Sequence, residues 1–309
     1  MTSLTQTKKK SKFGRQRYQL LWMAIPFMIL VIMFSYVPLF GWSLAFINYK
    51  PGVAILKSEF VGFKYFIDFL TDRWDMYRVM KNTLTLALIG YALTPLPMIF
   101  AIMLNSVQSI RYKKVIQTLT TFPNFVSWII VYSLVFQLFS SEGLVTELLV
   151  NMGLVKKGYN VLSDKNAVYW FQTLMGQWKG LGWSAIVYMA AIAGIDQELY
   201  EAASIDGANR WQSTLHITVP GLIPTFIVLM LLGVGNFMNV GFDQYYVFKN
   251  AGNSDTIEVL DIYVYRIGMT GFKFSYATAI GVMKSFVSII LLFSANAVSK
   301  WTRDGQSIF

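Results

Sequence analysis

Residues Glu201–Pro220 read EAASIDGANRWQSTLHITVP, a semi-polar stretch between two apolar runs, Ala185–Ile195 and Leu222–Leu232. Flanks this apolar cannot form a soluble surface, so the stretch between them belongs at a membrane face. Glu198 to Ile205 carries helix-forming residues, Gly207 offers a stop that tolerates positive φ, and Trp211 to Ile217 resumes a helical pattern before Pro220. The expectation is a short helix, a glycine bend and a second helix. Ala202 and Ala203 are small enough to let another protein's backbone come close.

The composition around this stretch is that of a polytopic membrane protein. Hydrophobic residues make up 55% and charged residues 14%, with a mean hydropathy of +0.49, far from soluble averages. Six stretches can cross about 30 Å of hydrocarbon: Leu20–Ile47, Thr83–Val107, Val115–Phe139, Ala167–Ile195, Leu222–Val240 and Tyr276–Val298. The first lacks a small-residue cleavage site and is too long for a signal peptide, so it reads as retained. Lys8, Lys9, Lys10, Lys12, Arg15 and Arg17 precede it without an acidic neighbour, which places the N-terminus in the cytoplasm. Six spans then return the C-terminus to the same side, with Arg111, Lys113, Lys114, Lys300, Arg303 and the Glu201 stretch. The longer outer connections carry about as many basic residues, but long loops weigh less in this rule. The expected organisation is a basic cytoplasmic segment (1–19), a transmembrane domain (20–300) with its polar loop at about 196–220, and a short cytoplasmic tail (301–309).

Several chemistries are missing from the sequence. Much of the +10 net charge lies in the basic N-terminal segment, where anionic lipid explains it without nucleic acid. There is no cysteine, so no disulfide or thiolate metal site forms. No segment fits G-x-x-x-x-G-K-[ST], so the chain does not hold nucleotide by itself. His216 is the only histidine; its place in the polar loop suits packing or an interface better than catalysis. No proposed span contains Asp or Glu, which argues against ion-coupled transport and against carboxylate acid–base chemistry.

Polar residues inside the spans are candidates for a transport path. Lys179 lies mid-span in GQWKGLGW with Gln177, Trp178 and Trp183 beside it, offering donors and flat aromatic faces; a lysine snorkelling to the interface reads equally well. Lys284 is the other charge near a span interior. Asn236 and Asn239 in VGNFMNVGF are three residues apart, so a helix would present both on one face, as interhelical glue or as path lining. Pro95, Pro97 and Pro123 interrupt the second and third spans and serve as kinks or as ordinary membrane prolines.

The spacing Glu201-Ala202-Ala203, three residues, Gly207, nine residues, Ile217, one residue, Val219-Pro220 resembles the EAA loop of binding-protein-dependent ABC importer permeases, with Val219 where that pattern usually has Leu. Further stretches, RYQLLWMAIPF, FSYVPLFGWSLAFINYKPG, GFDQYYVFKNAG, VLDIYVYRIGM and FSYATAIGVMKS, are similar to a maltose-type subgroup that imports oligosaccharides and polysaccharide fragments, typically in Gram-positive bacteria. The resemblance implies an all-α type I importer permease fold in the bacterial plasma membrane. It implies a second homologous permease, a pair of ATP-binding subunits that carry ATP and magnesium, and an extracellular substrate-binding lipoprotein, this chain binding no cofactor or metal. Glu201, Ala202, Ala203, Asp206, Gly207 and Trp211 would couple to the ATPase. Asn236 and Asn239 match family positions that contact sugar, with about a one-residue offset. An ion-coupled or passive transporter and a non-transporting scaffold are the alternatives. The lysines hint at an acidic sugar, and fructo-oligosaccharides, uronic-acid oligomers and host glycans all fit.

Overall fold

A computed structural model describes the backbone of residues 13–302 and the side chains of residues 21–297. The basic cluster Lys8 to Lys12, the side chains of Arg15, Arg17 and Lys300, and the tail from Arg303 lie outside the described residues. The first span is α1 (Phe13–Val31), continued by a π-helical turn (Ile32–Tyr36) and a 3-10 helix (Val37–Phe46). A two-stranded antiparallel hairpin, β1 (Ile47–Asn48) and β2 (Glu59–Phe60), leads to α2 (Lys64–Thr71). The second span runs through α3 (Arg73–Ala92) and α4 (Leu96–Asn105), joined by a turn at Pro95. Then come α5 (Ile110–Thr121), a 3-10 turn (Phe122–Phe125), α6 (Trp128–Phe139) and α7 (Leu144–Asn151). The long α8 (Val168–Ala193) bends by 68° into α9 (Gln197–Ile205). Next are α10 (Arg210–Ser213), a π-helical turn (Thr214–Thr218) and α11 (Val219–Gly235). Three short helices, α12 (Phe242–Phe248), α13 (Ser254–Ile257) and α14 (Leu260–Tyr265), and a last π-helical turn (Arg266–Thr270) precede α15 (Phe274–Thr302). Among the described residues five helices are long and apolar enough to span a membrane, and the bent pair α8–α9 supplies a sixth.

The breaks fall at prolines and glycines, and partners across the bundle meet the backbone groups that they free. The third span, expected as one helix over 115–139, stops at Pro123; Val126 turns extended, and Ser127 restarts the helix by accepting from the Ile130 amide at 3.5 Å. At this break the Lys179 ammonium donates to the Asn124 carbonyl at 2.7 Å and sits 5.4 Å from the centroid of the Trp128 ring. The fifth span, expected to reach Val240, ends at Gly235.

Of the buried apolar clusters, two lie at opposite ends of the bundle. Ala101, Ala185, Tyr188, Ile192 and Leu222 pack near the α9–α10 loop. Leu86, Val131, Leu162, Tyr245, Phe248, Ile257 and Ile262 pack at the far end, under the short helices. The bulk of the first span presents its apolar side chains outward, whereas its last turn closes on α15, where Ala45 and Ala279 are fully buried.

Gly182 sets the approach of α8 to α5: a Cβ there would overlap the backbone carbonyl of Thr120, whereas one at Gly180 would meet open space. Gly182→Ala is expected to cost about 1–3 kcal/mol by overpacking, and Gly180→Ala to gain up to about 1 kcal/mol from helix propensity. Thermal unfolding of the two variants in detergent, measured side by side, checks this opposite sign.

Candidate translocation cavity and coupling loop

The polar loop folds as its sequence suggests. Asp196 caps α9 by accepting from the Glu198 amide at 3.0 Å. Gly207 takes φ +78°, which suits glycine. Asn209 and Gln212 then form a reciprocal capping box that starts α10. Glu201, Ala202 and Asp206 are exposed, and Trp211 projects with 69% of its surface free. Ala203, Asp206, Gly207, Gln212 and His216 line a cleft of about 260 Å³ between the two helices. His216 bonds locally to the Gln212 carbonyl at 3.0 Å. Ile205, which the sequence does not single out by type, is 87% exposed and is the most exposed large apolar residue of this loop.

Two adjoining cavities lie between α3, α8 and α11. One, of about 230 Å³, brings Gln177, Asn236 and Asn239 together with Gln172, Gln244, Thr94 and Tyr91. The other, of about 360 Å³, shares Tyr91, Thr94, Gln177 and Gly233 with it and adds Trp183 and Ser184. Among the described residues no charged side chain lines either cavity. Asn236 and Asn239 lie past the end of α11 rather than on it; Gly235 ends the helix, and a turn places the Asn239 amide 2.7 Å from the Asn236 carbonyl. Their nearness thus comes from a turn and not from helical periodicity. Gln244 donates to both the carbonyl and the side-chain oxygen of Gln172, at 2.7 and 2.9 Å, across a sequence gap that hides the pair from the sequence. Tyr91 donates to the Met230 carbonyl at 2.6 Å, tying α3 to α11 at the cavity wall.

The other candidates lie elsewhere. Lys179 fills the break in the third span, and Trp178 is half-exposed outside both cavities. Lys284 is paired with Asp261 of α14. The sequence reading found no acid within the spans; this carboxylate reaches the sixth span from a short helix outside it, and the second span, beginning at Arg73 rather than Thr83, includes Asp75.

At the end of the bundle opposite the α9–α10 loop, Glu258 is 2% exposed and gathers three cations: Lys249 at 2.8 Å, Arg266 at 2.7 Å and Arg78 at 2.9 Å. Asn82 donates to the carbonyls of Asp255 and Glu258 at 2.8 and 3.1 Å, and Tyr169 donates to Asn82 at 2.7 Å. Burial pushes the Glu258 carboxyl up, but the hydrogen bonds from Arg266 and Lys249 outweigh it and hold the group below its ordinary value.

A six-span helical bundle with a polar internal cavity and an exposed helical loop at one face is a membrane transport subunit. Residues 93–304 match the family described as the binding-protein-dependent transport system inner membrane component, and the chain belongs to that family. It is 41% identical to Protein LplB of Bacillus subtilis over 89% of this chain and 86% of that protein. It is 40% identical to the polygalacturonan/rhamnogalacturonan transport system permease protein YteP of the same organism, over 94% and 89%. A crystal structure of a bacterial ABC transporter involved in the import of the acidic polysaccharide alginate contains a chain that superposes with a TM-score of 0.84 at 32% identity, covering 94% of this chain and 98% of that one. A second structure shows a bacterial alginate ABC transporter with an alginate pentasaccharide-bound periplasmic protein. The fold is that of a type I ABC importer permease.

Because the folded state lowers the Glu258 pKa, its stabilisation is fully present above the unfolded value of about 4.3 and is lost as pH falls through the lower folded value. The detergent-solubilised chain is expected to lose thermal stability below about pH 4.3. Glu258→Gln, which takes the carboxylate from Lys249 and Arg266 while Arg78 keeps Asp75 at 2.6 Å, is expected to lose about 3 kcal/mol at neutral pH and to flatten the acid limb. Melting curves across pH for both forms test this.

Proposed function

We propose that this chain forms one half of an oligosaccharide-conducting pore and takes its energy from a separate ATPase docked on α9–α10. The observation that carries this reading is the uncharged cavity of amides and aromatic side chains between α8 and α11, the two helices that the exposed loop connects. Gln177, Asn236, Asn239, Gln172 and Gln244 offer amide donors and acceptors suited to sugar hydroxyls, and Trp183 and Tyr91 offer faces on which a pyranose ring can rest. The names of YteP and of the alginate importer favour fragments of polysaccharides such as polygalacturonan, rhamnogalacturonan or alginate as substrates. Lys179 and Lys284 are engaged with an Asn124 carbonyl and with Asp261, so neither serves as a free counter-charge for a uronic acid here.

The remaining half of the pore would come from a second homologous permease. Two ATP-binding subunits, carrying ATP and magnesium, would receive Glu201, Ala202, Ala203, Asp206, Gly207, Trp211 and the neighbouring Ile205. A substrate-binding lipoprotein would deliver sugar at the opposite face, with both termini cytoplasmic and the bundle in a bacterial plasma membrane; relatives in Bacillus favour a Gram-positive host. Closing of the ATPase pair would move α9–α10 as a body and turn the cavity outward, and hydrolysis would reset it.

Affinity purification of the tagged chain from its native membrane, with mass spectrometry, is expected to recover a second permease, an ATPase and a lipoprotein. Recovery of the chain alone, still transporting, would overturn the proposal. Gly207→Pro forces φ from +78° to about −65°; we expect uptake of labelled rhamnogalacturonan or alginate oligosaccharides to fall at least about tenfold while the chain still inserts in the membrane.

A further inference from the structure

The α9–α10 loop is closed at its base. From the 68° bend after α8, the chain runs out along α9, turns at Gly207, and returns through α10 and the π-helical turn Thr214–Thr218 to α11. Across that base the Tyr200 phenol and the Thr218 hydroxyl are 2.9 Å apart, with Thr218 buried. Beside this contact Ile195 packs into the space left by Gly221, where a Cβ would come within 2.7 Å of Ile195 Cδ1.

The position of the bond relative to the π-helical turn gives it a mechanical meaning. A π segment interrupts the regular i→i+4 ladder and is one of the places where helices kink. It lies on the covalent path from the loop to α11, so displacement of α9 and α10 could be absorbed there. Thr218 is the last residue of this turn. A bond from α9 to Thr218 therefore bypasses the soft segment and joins α9 directly to the start of α11, whose far end carries the Asn236–Asn239 turn of the cavity.

We infer that Tyr200 is a positioning residue that passes movement of α9 to α11 through Thr218, so that loop displacement opens the cavity instead of bending the π-helical turn. This rests on the proposed docking of an ATPase at α9–α10. Tyr200 itself is half-buried on the inner side of α9, while the exposed side is left for the ATPase.

The absence of cysteine from the chain makes Asn239→Cys a unique reporter in this subunit. Right-side-out vesicles holding the assembled transporter are loaded with ATP and vanadate and treated with a membrane-impermeant maleimide, and labelling of this chain is read by mass spectrometry. Nucleotide trapping is expected to raise labelling. Tyr200→Phe and Thr218→Val should each reduce that gain about fivefold, the size of one net hydrogen bond, with the ATPase still co-purifying. Thr218→Ser should preserve the gain, and the double variant should be no worse than either single one. An unchanged gain in both single variants, or losses that multiply in the double variant, would overturn the inference. Loss of the ATPase from the Tyr200→Phe complex would also overturn it, by assigning Tyr200 to docking. A wild-type chain that holds no ATPase in the same membranes would instead reject the ATPase-driven reading itself, and the inference with it.

Discussion

Hydrocarbon offers no hydrogen bonds, so each place where a membrane helix stops or bends must find a partner for the backbone groups it exposes. This constraint organises the bundle. At Pro123 the partner is the Lys179 ammonium on the Asn124 carbonyl. Along α11, the Met230 carbonyl receives the Tyr91 phenol. Where the short helices α12 to α14 lie against α3, Asn82 meets two carbonyls, and the Thr83 hydroxyl accepts the Leu260 amide at 2.9 Å. At these three places irregular or interrupted backbone is met by a side chain from another element, and the cavity lies beside the Asn236–Asn239 turn, whose amides can face water.

Charge follows the same logic. Glu258 is tolerated in a buried position because three cations surround it, and Lys284 because Asp261 reaches it from outside the sixth span. These groups tie α3, the α12–α14 segment and α15 into one end of the bundle. The α9–α10 loop, at the other end, is held by a capping box, a positive-φ glycine, a Tyr–Thr contact and the packing of Ile195 at Gly221. One end is fastened by buried ions, the other by short-range turn chemistry with apolar knobs left free.

Local chemistry was readable from the sequence, and long-range partnership was not. The helix–glycine–helix order of the α9–α10 loop and the limits of the fourth span follow from caps, glycine and apolar length. The pairing of Gln172 with Gln244, or of Lys284 with Asp261, joins segments that no periodicity links. The break at Pro123 was ambiguous because proline is tolerated in membrane helices, and what settles it is a lysine 55 residues further along. Asn236 and Asn239 were brought together by their spacing for the wrong reason: a turn, not a helical face, makes them neighbours.

The closure of the first span on α15 bears on how the protein is made. Ala45 packs against Ala279 and Val282, and the Tyr49 amide reaches the Ser275 hydroxyl at 3.0 Å across 226 residues of chain. During synthesis the ribosome delivers these two surfaces at opposite ends of the message, so the first helix must wait in the bilayer until nearly all the others have been inserted. Lipid keeps it solvated meanwhile. Completion of the hairpin end of this subunit is therefore a late event, set by translation time rather than by the speed at which neighbouring helices find one another.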